Sequence, residues 1–527
     1  MKNRTRVICL LLTILMIGSV VWGCGDRSSE SGNNASLLDE EMARKDFTYP
    51  IEQDVTLTYF TSAAPAGYHN YADMDWYGVE QEKTGVKIQY IHPSAGNETS
   101  QFNLLMASGE LPDIVKFNWL KFSGGPQKAI NDEVIYSLND IIDKYAPNFK
   151  KQLEADADLA RHLKTDEGEY YTFPMIRTDE SLIVFVGLML RGDWLDDLDM
   201  EVPETIDDWE VMLKAFKDVK GADAPFTDFS GGNIDYGAFS GAFGVTNGFY
   251  LEDGTVKYGP IEPGYKEYIE TMIRWYKEGL IDPDIATVTR TIARTKMLKG
   301  NSGAMMGYLG GDMGTMLSGA KAVGDDKFTL VGVAPPVKNK GDVAKFGHRE
   351  FKVSDPQGVA ISTNCENVGV AARFIDWAYS EEGMMFYNFG TEGVSYEMID
   401  GYPKYILEED QVLPEKHIRI NGPGLNDPRY YEQYLSTPQQ KQSLSAWMKT
   451  NQAKYAMPAV TPLTDEASEY ATIINEANTY ATEMFLRFLF GNDSIDGFDA
   501  YVEQLKALGI ERAIEIQQNG VERWKQR

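Results

Sequence analysis

Between Val55 and Lys116 the chain alternates two periodicities, and this alternation restricts its fold more than any other feature. Val55-Thr56-Leu57-Thr58-Tyr59 repeats with period two, as a half-buried strand does. Met74 to Lys83 reads as a helix stopped at Gly85, and Val86 to Ile91 as a second strand. Thr99 to Ser108 reads as a helix stopped at Gly109, and Asp113 to Lys116 as a third strand. Strand, helix, strand, helix, strand is the order of a parallel sheet with right-handed crossovers. Further on, Pro203-Glu204-Thr205 opens a helix in which Thr205 and Asp208 stand at capping-box spacing. Ile206, Trp209, Leu213 and Phe216 line one face of it. Helices dominate the last third, including Ala467 to Phe490 and Phe498 to Leu508.

With 527 residues and 43% hydrophobic content, the chain is long enough for several domain-sized units or one large two-lobed body. The net charge of −29 sets a mean field that repels a duplex phosphate backbone, so nucleic acid is not an expected partner. Three cysteines in this length make no disulfide framework, and no pair has zinc or redox spacing.

Lys2, Arg4 and Arg6 precede sixteen uncharged residues, Val7 to Trp22, too few to span a bilayer comfortably, which takes about 20. Residues 1–23 are therefore expected to be an export signal. Val21-Trp22-Gly23-Cys24 resembles the lipobox of bacterial lipoproteins, in which the cysteine is diacylated and becomes the new N-terminus; Trp22 departs from the residue usual at its position. Residues 24–46 then read as the lipidated Cys24 and a polar, Ser-rich tether, with the folded body starting near Phe47. Cys365, the remaining thiol, has no histidine within ten residues and reads as structural.

Several longer words resemble extracellular solute-binding proteins of carbohydrate ABC importers. They are Leu111-Pro112-Asp113-Ile114-Val115, Glu169 to Pro174, Arg191-Gly192-Asp193-Trp194-Leu195 with Val202-Pro203-Glu204-Thr205, Tyr379 to Gly383, Asn388 to Gly393, and Phe498 to Gly509. The resemblance is to the large oligosaccharide-binding lipoprotein branch. It implies an α/β, two-lobed periplasmic-binding-protein-like fold with an interlobe hinge and a helical C-terminal region. By analogy the crossings lie near 173–178, 331–335 and 388–393. Lobe one is then 47–173 plus 334–388, lobe two starts as 178–331, and 393–527 is a helical region packed mainly on lobe two. Many members carry a calcium loop after the helix that here ends at Lys220, but Gly221-Ala222-Asp223-Ala224-Pro225 lacks the oxygen ligands for one. Asn492 to Gly497 with Glu503 imitates an EF-hand loop, and ordinary helix capping explains it better. No metal or cofactor is expected.

A pyranose presents an apolar C–H face and a rim of hydroxyls, so its site needs flat rings and a few hydrogen-bonding groups. Trp119 follows the third strand at a carboxyl end, where open α/β sheets bind ligands, and the resemblance gives it the place of a sugar-stacking tryptophan. Tyr308, in Ala304-Met305-Met306-Gly307-Tyr308-Leu309-Gly310-Gly311-Asp312, matches another platform, and Tyr236 and Phe239 sit in a Gly-rich segment like a third. Core packing competes with a ligand role for each ring. Glu180 and Asp312 are candidate acceptors for sugar hydroxyls, with solvated loop charge as the alternative. Glu392 and Tyr396 are placed by analogy at the third crossing. Trp194, Trp209, Trp275 and Trp377 fall at apolar helical spacing and read as core.

No HExxH, GxSxG, P-loop or GxGxxG occurs, and the five histidines stand at least 23 residues apart. The expectation is a binder and not an enzyme: a monomer held by its lipid on the extracellular membrane face, passing a carbohydrate to the transmembrane permease subunits of an ABC importer. A peptide or other small-solute binder is the alternative, and a surface-anchored glycoside hydrolase or lyase a further one.

Overall fold

In the computed structural model, the residues described are 38–65, 67–229, 239–348, 351–408, 411, 413–419 and 421–527. The signal segment, Cys24 and Tyr236 lie outside them. The strands follow in chain order as Val55–Phe60 (β1), Val86–Ile91 (β2), Ile114–Lys116 (β3), Phe173–Arg177 (β4), Val186–Arg191 (β5) and Phe226–Thr227 (β6). Next come the hairpin Phe249–Glu252 (β7) and Thr255–Tyr258 (β8), then Ala304–Tyr308 (β9), Leu330–Val333 (β10) and Val353–Ile361 (β11). A second hairpin, Tyr396–Ile399 (β12) and Tyr402–Tyr405 (β13), precedes Gly424–Asn426 (β14).

The expected parallel unit is present. β1 pairs in parallel with β2, Val55 opposite Val86, and with β3, Tyr59 opposite Ile114. Helices Asp75–Thr84 and Glu98–Ser108 make the two crossovers and stop at Gly85 and Gly109, both left-handed. At Gly85 a side chain is excluded twice over, because a Cβ there would also overlap the Ile51 backbone. The large sheet has the order β14-β4-β11-β3-β1-β2. β11 runs antiparallel to both β3 and β4, so β3 and β4 point the same way. Alternation then divides its side chains: Ile114, Val359 and Ile361 enter one core, and Val115 and Ala360 enter the other.

The small sheet, β10-β5-β9-β6, is sandwiched in the same manner. Val186, Leu188 and Leu190 face a core with Trp209, Phe216 and Trp275, while Met189 and Met305 face a second core with Tyr431, Leu435 and Trp447. Helices Ala467–Leu489, Phe498–Ala507 and Ile510–Trp524 bury Ala477, Phe485, Tyr501, Leu505 and Ala513 against the first of these. Gly187 admits the Trp447 indole, which would overlap any Cβ there and donates Nε1–H to the Leu188 carbonyl at 2.8 Å. Among the described residues no helix is long and apolar enough to cross a membrane. Cys365 is buried, and burial pushes its thiol pKa up, as suits a structural residue.

Two placements differ from the sequence reading. Residues 38–46 are not tether: a helical turn over 38–42 buries Met42 completely, Asp39 Oδ1 accepts from Gly369 N at 3.0 Å, and the Met42 carbonyl accepts from Arg373 Nε at 2.8 Å. The third crossing is not near 388–393. Phe389, Tyr396 and Tyr405 form a small satellite core with Leu413 and Ile418, and the chain then returns to the large sheet as β14. It passes to the small sheet only in helix Pro428–Tyr434, whose Tyr431 joins the small-sheet core. The Arg419–Glu80 pair fastens the excursion to the large-sheet lobe: Glu80 also accepts from Tyr90 and Tyr387 hydroxyls at 2.8 and 2.7 Å.

Candidate functional site: the cleft between the sheets

Three chain segments join the two sheets, and they leave the large sheet side by side. Met175 pairs with Gly424 on one side and Ser354 on the other, and Ile176 with Leu425 and Val353. β4, β11 and β14 therefore make a three-stranded ribbon beyond the carboxyl ends of β1 and β3. On the far side, Val186 at the start of β5 lies opposite Tyr308 at the end of β9, so β6, β9 and β10 also end toward the crossings. Each sheet presents its carboxyl edge to the other, the position at which open α/β sheets place ligands.

The large-sheet wall holds a cavity of about 580 Å³ formed by Phe60 to Ser62 after β1, Lys116 to Asn118 at the end of β3, the start of helix Glu98–Ser108, and Lys121. Lys116 donates to Ser62 Oγ, and burial together with the positive charge of Arg419 pushes its pKa down to about 8. His92 Nδ1 stands 2.7 Å from the Ser62 carbonyl while its Nε2 accepts from Tyr71 N at 3.1 Å, which fixes the neutral tautomer with the proton on Nδ1. Burial lowers its pKa further.

Trp119 is not an open platform. It is 1% exposed, packed against Phe102, Phe117 and Phe122 with ring centroids 5.6–6.1 Å apart. Phe117, stacked on Phe102 at 3.9 Å, lines the cavity instead. Phe239 is likewise core: it is fully buried among Trp209, Phe226 and Trp275, all edge-on at 5.1–5.4 Å.

The small-sheet wall centres on Tyr308. Its ring is partly exposed and lies nearly parallel to those of Phe185, at 6.2 Å and 9°, and Phe229, at 6.3 Å and 25°. The Arg290 guanidinium covers the Tyr308 ring at 4.4 Å. Asp312 is fully buried and holds this arrangement together, taking Arg290 Nε at 2.7 Å on Oδ1 and Tyr308 N at 2.7 Å on Oδ2. It is thus a brace for the platform and not an exposed acceptor. It sits in a π-helical turn, Leu309–Gly314, whose Gly311 lets Arg290 Nη2 approach to where a Cβ would be 2.5 Å away.

Glu180, itself exposed, opens a 3-10 turn, Glu180–Ile183, on the first crossing, whose Leu182 and Ile183 are buried, with Asp179 capping Ser181 N at 2.8 Å. His348 packs against the Phe185 ring at 4.9 Å, and burial plus the Arg177 charge pushes its pKa down to about 4. Glu392 and Tyr396 bridge each other beside the satellite core, away from the ribbon. Near the C-terminus Asp493 pairs with Arg487 and Glu503 with Lys506, so cations of the chain already occupy two carboxylates of the EF-hand-like segment. Sequence reasoning missed Phe185, Phe229 and Arg290. The two phenylalanines stand just outside strand ends, and Arg290 reaches Asp312 only through folding.

Comparison with known proteins agrees with this architecture. A family model for bacterial extracellular solute-binding proteins matches residues 57–385. The fructooligosaccharide ABC transporter substrate-binding protein FusA of Streptococcus pneumoniae is 24% identical over 545 residues, covering 95% of each chain. Lipoprotein LipO of Bacillus subtilis is 24% identical over 450 residues, 80% of this chain and 84% of that one. The crystal structure of the alginate-binding protein AlgQ2 without calcium ion superposes with a TM-score of 0.73 at 27% identity, covering 91% of this chain and 100% of that one. With two lobes, a ribbon hinge and a cleft at the facing sheet edges, the chain belongs to the bacterial extracellular solute-binding protein family, and is a binding protein and not an enzyme.

Proposed function

We propose that this protein captures an oligosaccharide in the cleft between its lobes and delivers it to the membrane-spanning subunits of an ABC importer. The observation that carries the sugar is the strip of near-parallel, partly exposed rings, Phe185, Tyr308 and Phe229, at the edge where β9 ends. Such a strip suits the C–H faces of successive pyranose or furanose units, while Asn118, Thr61 and Ser62 across the cleft offer hydroxyl partners. The likeness to FusA and AlgQ2, named for fructooligosaccharide and alginate binding, supports the same ligand class.

In this reading one lobe comprises about 38–177 plus 353–426 and the other about 186–333 plus 428–527. Sugar binds one wall in the open form and the other wall on closure about the ribbon. Ligand shifts that equilibrium only by its higher affinity for the closed state. Cys24 carries two acyl chains, enough for stable anchoring, and holds a monomer at the extracellular membrane face. The likeness to a protein named lipoprotein supports this placement.

The test is a melting-shift and calorimetric screen of oligosaccharides, amino acids and short peptides. A ligand at 100 times its Kd stabilises by about 2.7 kcal/mol. A saturable oligosaccharide response with the sugar recovered unchanged is expected. A response confined to peptides or amino acids would overturn the sugar assignment, and cleaved sugar would overturn the assignment as a binder.

A further inference from the structure

A second cavity lies in the small-sheet lobe and shares no lining residue with either wall of the cleft. Its volume is about 310 Å³, at the lower end of the range that small-molecule sites take, roughly 300–1,000 Å³. One wall is the hairpin β7–β8, with Phe249, Tyr258 and, just ahead of β7, Gly248. The facing wall is helix Ala467–Leu489, on which Tyr470, Ile474, Asn478 and Thr482 recur every fourth residue and so share one face. The Tyr258 hydroxyl joins the two walls by donating to Asn478 Oδ1 at 2.7 Å. On its other face the hairpin sets Tyr250 against Phe346, with ring centroids 5.2 Å apart, in the segment that leads to His348. Strand alternation therefore puts the cavity on the face of the hairpin turned away from the cleft.

The lining is both aromatic and polar, and it carries no charge. The Phe249 ring stands 5.1 Å from that of Tyr258, and Phe485 is backed by Tyr268 at 5.8 Å and 16°. Beside these rings, Asn478 Nδ2 and Thr482 Oγ1 have no hydrogen-bond partner among the described residues. No lining residue is Asp, Glu, Lys, Arg or His, although such charged types, histidine aside, make up 24% of the chain. An ion entering the cavity would give up water without meeting a counter-charge, and a hydrocarbon would cover amides and hydroxyls without satisfying them. A neutral ring bearing hydroxyls avoids both costs, laying its C–H face on the aromatic groups and exchanging hydrogen bonds with the amides and hydroxyls. Gly248 keeps the space open: a Cβ built there would meet nothing within 4 Å, and its φ lies outside the left-handed region.

From this geometry we infer that the cavity is a second binding site, for a neutral monosaccharide unit, and that it works independently of the interlobe cleft. Bound there, the unit bridges hairpin and helix beside the Tyr258–Asn478 bond. A ligand of about twelve non-hydrogen atoms, at the modest yield per atom that such contacts give, binds in the millimolar range, too weakly to register beside the cleft in a calorimetric titration.

The experiment is saturation-transfer NMR on the chain from Gly25 onward carrying Tyr308→Ala, which removes the cleft platform. Glucose, galactose, mannose, fructose and N-acetylglucosamine are the probes at millimolar concentration, with glucuronate and glucosamine as charged comparisons. At least one neutral sugar is expected to give a saturable signal, stronger than that of either charged sugar. Adding Gly248→Leu or Thr482→Phe, which fill the cavity from opposite walls, should weaken that binding at least fivefold at unchanged melting temperature. In the otherwise natural protein the same two substitutions should leave oligosaccharide affinity in the cleft as it was. A sugar signal that neither filling substitution weakens, or no saturable signal from any neutral sugar, would overturn this inference and leave the cleft reading standing. A failed oligosaccharide screen with the cavity signal intact would do the reverse.

Discussion

Replacing Glu80 with Gln removes the only carboxylate that, among the described residues, pairs with the buried Arg419 guanidinium, while preserving volume. The side chains are 0% and 3% exposed, so water cannot take over the lost charge. Leaving one member of a buried pair uncompensated costs about 3–5 kcal/mol. Five rings surround the guanidinium, Tyr59, Tyr71, Trp76, Tyr90 and Tyr387, at 5.0–6.0 Å from its centre. These ring contacts are made with and without the carboxylate and cancel from the difference, so the lower end of that range, about 3 kcal/mol, is taken as the expected loss. In a lobe of this size, each kcal/mol moves the midpoint by about 2–4 °C, giving a fall of about 6–12 °C. Scanning calorimetry should resolve that fall, with the double variant Glu80→Leu/Arg419→Met less destabilised than Glu80→Gln because no charge is stranded. A single-variant shift under about 2 °C, or a double variant worse than the single, would refute the view that this pair locks residues 389–426 onto the large-sheet lobe.

Trp119→Ala should lower unfolding free energy by about 3–5 kcal/mol in urea titration, since it empties a core; a loss below about 1 kcal/mol would mean the ring is not packed as seen. The folded pKa of His348, about 4, lies below its unfolded value of 6.5, so its contribution is complete above pH 6.5 and is lost as pH falls through about 4. That contribution is at most about 3 kcal/mol, and His348→Gln should flatten the stability profile between pH 6.5 and 4; an unchanged acid limb would exclude His348 as its source. Asp166 of the large-sheet lobe accepts from Arg523 Nε at 2.5 Å and Arg527 Nη2 at 2.6 Å, groups carried by and just beyond the last helix of the other lobe. Asp166→Asn should weaken this interlobe contact by about 2 kcal/mol and enlarge the radius of gyration of the ligand-free protein in X-ray scattering; an unchanged radius and melting point would show the contact to be idle.

What was legible in the sequence was local. Period-two strands and glycine-stopped helices between 55 and 116 announced the parallel unit, and the Thr205–Asp208 spacing announced a capping box that is present. The third crossing was illegible because β14 is three residues long, Gly424–Asn426, with no alternation to read; its partner β4 is about 250 residues away in sequence, so only tertiary pairing makes it a strand. At the site, Tyr308 could be placed by the strand before it, but Asp312 could not be told from a free acceptor, because the arginine that engages it stands 22 positions earlier on another helix. The fate of Trp119 was decided by Phe102 and Phe122, whose rings enclose it from both sides in sequence. Leu38 and Met42, four apart, carried a weak helical signal that the polar composition around them obscured.

The central claim is that sugar is held in the interlobe cleft against Tyr308. Its most direct test is calorimetric titration of the oligosaccharide giving the largest melting shift into the natural protein and into Tyr308→Ala. The account predicts one site per chain in the natural protein, sugar recovered intact, and at least tenfold weaker binding in Tyr308→Ala, with Asp312 and Arg290 still in place and folding retained. Equal affinity in the two proteins would contradict it and move the binding site away from the cleft.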